Sequence, residues 1–283
     1  MRKESLLVKI WNVLWPLIIY SIAQIVTAFV GIVIVGEEYA LYFLLAAALI
    51  CIPIYYKIYK KDCEQAGEVK RNIPMDTKDY IAIIVTGAAL AIAMNNIITI
   101  TPLPYLFPGY EETNEVLFGG PVVLQIMTAG IFACIVEEMS HRGVVYLRMK
   151  RYWGQKNAMI LSALVFGIYH LNVVQAVYAF VLGLFFAWLY ERYDSLWAPI
   201  IGHMSANLFV IVLGSSELIL RVMSNLVGFC LITCIAVLVF YYGWRFMKQT
   251  NPLVELEFVD KDPDTLEKLT EEYKEQGREE EKH

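Results

Sequence analysis

The chain has 283 residues, 58% of them hydrophobic and 18% charged, with a formal net charge of −5. A water-soluble domain runs nearer 45–50% apolar and about 25% charged. The apolar excess is too large for one soluble core, so a soluble enzyme and a nucleic-acid binder are excluded and a polytopic membrane protein is indicated.

The first apolar stretch, 11–35, has Pro16 near its start, where proline is tolerated. At about 25 residues it exceeds the 7–15 of a secretory signal core and reads as a permanent anchor. Stretches 39–56 and 80–100 follow, joined by a basic loop. Residues 101–120 contain no base and carry Glu111, Glu112 and Glu115; they can connect, lid a site or steer a basic peptide. Further stretches run over 121–149, 158–171, 173–190, 196–213 and 225–242, the fifth of the series being short against the roughly 20 residues of a membrane helix. The expected fold is an all-α bundle of about eight transmembrane helices. Its organisation is 1–119 (three helices and loops), 120–213 (the chemical core), 214–250 (the last helix) and 251–283 (an acidic tail). That tail holds twelve acids and five bases, against sixteen acids and eighteen bases in the other 250 residues. Asp262-Pro263 can open a short helix there, although the composition favours a solvated tail.

Orientation follows from the bases. With the N-terminus in the cytoplasm and eight alternating helices, 22 of 23 bases fall inside and Arg221 alone outside. Both termini are then cytoplasmic, and the protein is expected in a plasma membrane, bacterial by its short loops. The five cysteines show no metal or disulfide spacing, and the four in apolar stretches, Cys230 and Cys234 included, read as small core residues.

A charge at the centre of a membrane helix costs about 2.5–3.5 kcal/mol on insertion scales. The fourth stretch nevertheless carries Glu137, Glu138, His141 and Arg142; the fifth ends at His170; the seventh carries His203 and Asn207. The remaining histidine, His283, is the last residue. Glu138 and Arg142 are four apart and share a helix face, which leaves Glu137 without that partner. His203 and Asn207 also share a face. A hairpin turning near Trp153-Gly154 would bring Glu137 and His170 to similar depths, about 18–20 Å from the turn at 1.5 Å per residue. Such a cluster suits hydrolysis. An unpaired carboxylate can activate water, a histidine can share the proton, and a second histidine with an amide can hold an oxyanion. Glu137, His170 and His203 are equally a possible catalytic zinc set.

Glu-Glu-x-x-x-Arg, Phe-x-x-x-His and His-x-x-x-Asn, in this order on successive apolar segments, resemble the CPBP family, which groups type II CAAX prenyl endopeptidases with bacteriocin-processing and self-immunity proteins. The resemblance spans roughly 120–213. It implies an intramembrane endopeptidase acting on a membrane-embedded or lipidated peptide. Glu137 would activate water with help from His170, His203 and Asn207 would form the oxyanion site, and Glu138 with Arg142 would be the structural pair behind them. No cofactor is then required, although a divalent metal such as zinc stays open. His141 departs from the bulky apolar residue expected at its position and is either an accessory proton relay or ligand, or simply a polar residue of the helix. Gln24, Asn95, Asn96, Gln125 and Gln175 read as interhelical hydrogen-bonding groups. Ser205 turns away from the face of His203 and Asn207 and is a poor nucleophile. A non-catalytic immunity or scaffold protein and a proton-coupled carrier are the competing functional classes.

Overall fold

A computed structural model of the chain describes residues 5–36, 39–66, 75–107 and 109–250. The expected acidic tail, with Asp262-Pro263 and His283, lies outside the described residues. Those described are almost wholly helical and contain no strand. The eight apolar stretches become α1 (Leu6–Ile34), α2 (Ala40–Ala66), α3 (Thr77–Thr99), α4 (Val122–Trp153), α5 (Gln155–Tyr169), α6 (Val173–Tyr193), α7 (Trp197–Gly214) and α8 (Leu226–Thr250). Among the described residues, seven helices are long and apolar enough to cross a bilayer, which makes this an integral membrane protein. The eighth, α5, has 15 residues; it extends about 22 Å at 1.5 Å per residue, against a hydrocarbon core of about 30 Å.

The described residues up to Trp244 form one compact unit. In it α3 packs along α7, α5 along α6 and α1 along α2, while α4 touches α1, α2, α5, α6 and α7. The central helix is therefore the one that carries the carboxylates.

Pro16 is not near the start of its helix, because α1 begins at Leu6. A proline inside a helix removes the N–H that would bond the carbonyl four residues back. That carbonyl belongs to Asn12, and the Arg148 guanidinium of α4 donates to it. Arg148 also pairs with Asp62 of α2 at 2.6 Å, and the Tyr55 hydroxyl donates to the Pro16 carbonyl at 2.6 Å. Lys150 pairs with Glu191 of α6 at 2.7 Å. One end of the bundle is thus tied together by charge, where the sequence places most of its bases.

Two stretches of α4, Ile126–Phe132 and Met139–Tyr146, are wound as π-helix. Such stretches are rare and concentrate at functional sites, and the second directly follows the two carboxylates. The α4–α5 hairpin turns at Gly154, whose φ of 78° suits a residue without a side chain. The helices α5 and α6 approach so closely that a Cβ on Gly167 would lie 2.7 Å from the Ala176 carbonyl oxygen. Between them Leu171 sits at φ 52°, a left-handed conformation uncommon for a side-chain-bearing residue, and Asn172 caps α6 by accepting from the Gln175 N–H at 3.1 Å. The Asn96 amide donates to Thr233 of α8 at 2.9 Å, the interhelical role expected of it. Cys51 and Cys134 are buried, but Cys230 and Cys234 are exposed, because α8 packs on the bundle by one face only.

Candidate functional site

Glu138 is fully buried, and one carboxylate oxygen, Oε1, receives both Arg142 Nη1 and His203 Nδ1 at 2.8 Å each. The Glu138–Arg142 pair is the one expected from the four-residue spacing. Arg142 also donates through Nη2 to the Gly183 carbonyl of α6 at 3.0 Å, and its guanidinium lies 4.5 Å from the centre of the Phe166 ring. Four helices meet at this one ion pair. Glu137 differs: its side chain is 16% exposed, whereas that of Glu138 is 0% exposed, and His203 Nε2 lies 3.9 Å from its Oε2.

The histidine hydrogens follow from their partners. A carboxylate or carbonyl oxygen only accepts, so the ring nitrogen facing it carries the proton. His203 therefore donates from Nδ1 to Glu138 and turns Nε2 toward Glu137. His170 donates from Nδ1 to the Phe166 carbonyl at 2.8 Å, one turn back on α5. The Phe166 ring stands edge-on to both imidazoles, at 5.0 Å from His170 and 5.7 Å from His203.

Glu137, His170, His203 and Asn207 all line one cavity of about 380 Å³. Four residues that the sequence places on three separate helices are thereby gathered, at the common depth allowed by the Gly154 hairpin. Asn207 is engaged within the protein: its Nδ2 donates to the Ala129 carbonyl at 2.9 Å and toward Cys134 Sγ at 3.4 Å, fastening α7 to α4. His141 does not line the cavity. It is fully buried, contacts the backbone carbonyl of Glu137 rather than its carboxylate (Nδ1 to O, 3.0 Å), and lies edge-on against Phe166 and Tyr169. Its Nε2 has no hydrogen-bond partner among the described residues. Ser205 is buried, donates to the Gly202 carbonyl at 2.8 Å and is not part of the lining.

Several lining residues escaped the sequence reading. Gln24, Asn95 and Gln175 face the cavity, although a lone amide in an apolar run reads as helix glue. Gln125 does neither; it donates to the Phe118 and Gly120 carbonyls and fastens its own loop. The acidic segment between α3 and α4 contains the short helix Gly109–Phe118, and Tyr110, Thr113 and Asn114 from it line the cavity. The segment walls the site, while its acids Glu111 and Glu115 are exposed and outside the lining.

The zinc alternative finds no assembled ligand set among the described residues. A catalytic zinc needs three protein ligands converging at about 2.0–2.2 Å. Among the described residues no three His, Cys, Asp or Glu groups converge so as to hold a metal; the Nδ1 bonds of His203 and His170 to protein oxygens leave Nε2 as the nitrogen that a metal would take.

Comparison with known proteins places the similarity on the same stretch. Residues 119–209 match the model of the family described as type II CAAX prenyl endopeptidase Rce1-like, in agreement with the resemblance read from the three motifs. The "Putative membrane peptidase YdiL" of Bacillus subtilis (strain 168) is 29% identical over 92 residues, which cover 32% of this chain and 38% of that relative. No solved structure matches the chain.

Proposed function

We propose that this protein is an intramembrane endopeptidase that hydrolyses a peptide bond of a membrane-embedded substrate with water activated by Glu137. The observation that carries this reading is the shared cavity, in which Glu137 is the accessible carboxylate and His170, His203 and Asn207 are its neighbours. The family match over 119–209 and the relative named as a peptidase support it.

In this mechanism Glu137 takes a proton from water as the oxygen attacks the substrate carbonyl, and His170 shares that proton on its way to the leaving amine. His203 is held by Glu138 through Nδ1 and presents Nε2 beside Glu137; once protonated there, it donates to the oxyanion. The Asn207 amide joins it by releasing Cys134 Sγ, a weak acceptor. Glu138 and Arg142 touch no substrate and keep the His203 ring oriented. The step uses no metal, so cleavage is expected to persist in EDTA.

The test compares, by mass spectrometry, membrane and secreted peptides of host cells carrying wild-type protein or the Glu137→Ala variant. Peptides that change only when the carboxylate is removed establish proteolysis and reveal the substrate. Identical profiles at equal protein abundance would replace the enzyme with a non-catalytic membrane partner.

A further inference from the structure

The cavity holds more hydrogen-bonding groups than the hydrolytic step uses. Gln24 of α1, Asn95 of α3, Asn114 of the short helix Gly109–Phe118 and Gln175 of α6 all line it. The hydrogen bonds of Gln24 and Asn95 run through their backbone carbonyls, to the Thr27 and Thr99 hydroxyls. Among the described residues, no protein partner takes up the side-chain amides of Gln24, Asn95 or Asn114. Gln175 is 5% exposed and lies on α6 near Tyr178, which also lines the cavity. Histidines apart, Glu137 is the one acidic or basic residue of the lining among the described residues.

These groups define what can lie there. A substrate chain inside a bilayer is helical, because each unpaired backbone N–H or C=O in hydrocarbon costs several kcal/mol. A helical peptide bond is shielded from attack by its own turns, so the stretch around the cleaved bond has to unwind. Unwinding frees one donor and one acceptor per residue. A carboxamide side chain carries both functions and no charge; it can serve whichever backbone group faces it. A charged substrate side chain would find no opposite charge among the described lining residues apart from Glu137 and a protonated histidine, both engaged in the reaction, and would carry much of the cost of desolvation.

We infer that Gln24, Asn95, Asn114 and Gln175 form a neutral amide cradle that binds the unwound, uncharged main chain of the substrate next to Glu137. The inference rests on the protease reading and specifies its substrate: a segment recognised through its backbone rather than through a lipid or a charged side chain.

The test uses synthetic 25-residue transmembrane peptides with Leu/Ala flanks and five varied central residues, presented to the full-length protein in detergent micelles. The peptide cleaved fastest is resynthesised with single backbone esters, which remove one N–H each, on either side of the cleaved bond. For at least one ester the wild type is expected to lose about tenfold in kcat/KM. Asn95→Leu or Gln24→Leu should lose about as much on the all-amide peptide, then no more than about twofold further on that ester, since the partner is already missing. Asn95→Gln should recover part of the loss. Partial unfolding of a variant lowers both rates alike and leaves their ratio intact. Losses that simply multiply at every ester position would overturn the cradle, as would equal or faster cleavage of peptides with a central Lys or Asp. Cleavage retained by Glu137→Ala would instead overturn the mechanism, and no cleavage of any peptide by the wild type would remove the protease reading together with the cradle.

Discussion

Three histidines of the bundle are each anchored through Nδ1, to Glu138, to the Phe166 carbonyl and to the Glu137 carbonyl. Each anchor fixes one tautomer and leaves Nε2 as the nitrogen that can act, for His203 and His170 at the cavity and for His141 behind it. The two adjacent glutamates separate by role for the same reason. Glu138 neutralises a fully buried guanidinium, so Glu138→Gln is expected to cost about 3–5 kcal/mol by leaving Arg142 without its counter-charge. Thermal unfolding in detergent should show a clear drop in Tm. Glu137→Gln is expected to leave Tm within a degree or two while lowering the cleavage rate by about 10²–10⁴-fold. A Glu137→Gln variant that unfolds like Glu138→Gln would assign both carboxylates to structure. The split was legible from the spacing, because only Glu138 stands four residues from Arg142. The ring orientations were not, because they depend on backbone carbonyls and on a contact between positions 138 and 203.

Helix geometry decides where these groups sit. Hydropathy foretold the hairpin at Gly154, since a glycine between two apolar runs is an ordinary turn signal. It could not foretell the π-wound stretches of α4: in a run apolar on nearly every side, a winding of 3.6 residues per turn and a looser one leave the same pattern. Nor did it place Pro16 correctly, because the helix continues outward past Lys9 to Leu6, and the proline is accommodated by Arg148, a side chain 132 positions away. This accommodation can be measured as a cycle. Arg148→Ala should cost about 1.5–3 kcal/mol in the native background, having removed a charged donor from Asn12 and a partner from Asp62. In a Pro16→Ala background the new N–H can bond Asn12, and the same replacement should cost about 0.5–1.5 kcal/mol less. Additive losses would deny that the arginine serves the proline. Gly167→Ala tests the α5–α6 contact. Its Cβ would press on the Ala176 carbonyl, and a loss of about 1–3 kcal/mol is expected.

For the molecule as a whole, the number and order of the apolar runs were enough to set out the bundle, because a chain that must satisfy its backbone inside hydrocarbon has little choice but helix. The cavity was much less legible: its amides come from five separate elements, and a lone Gln or Asn reads alike whether it faces a helix or a hollow. The topology expected from the bases can be tested with single cysteines in a background lacking the native five. Residues introduced by Glu64→Cys and Lys156→Cys should react with a membrane-impermeant maleimide only after permeabilisation, and those from Glu115→Cys and Arg221→Cys in intact cells; the reverse pattern would invert the protein. The short α5 has one more consequence. Ile160, Leu164 and Ile168 leave it exposed along one side, so the lipids beside it meet a helix of about 22 Å where their tails span about 30 Å. Relief of that mismatch thins the adjoining leaflet next to His170, at a fraction of a kcal/mol per Å. Sensitivity to the membrane's composition is the expected outcome. Reconstituted in a series of increasing acyl-chain length, it should work fastest in thin bilayers and slow steadily as they thicken, and the cell's choice of fatty acid would act as a throttle on the reaction.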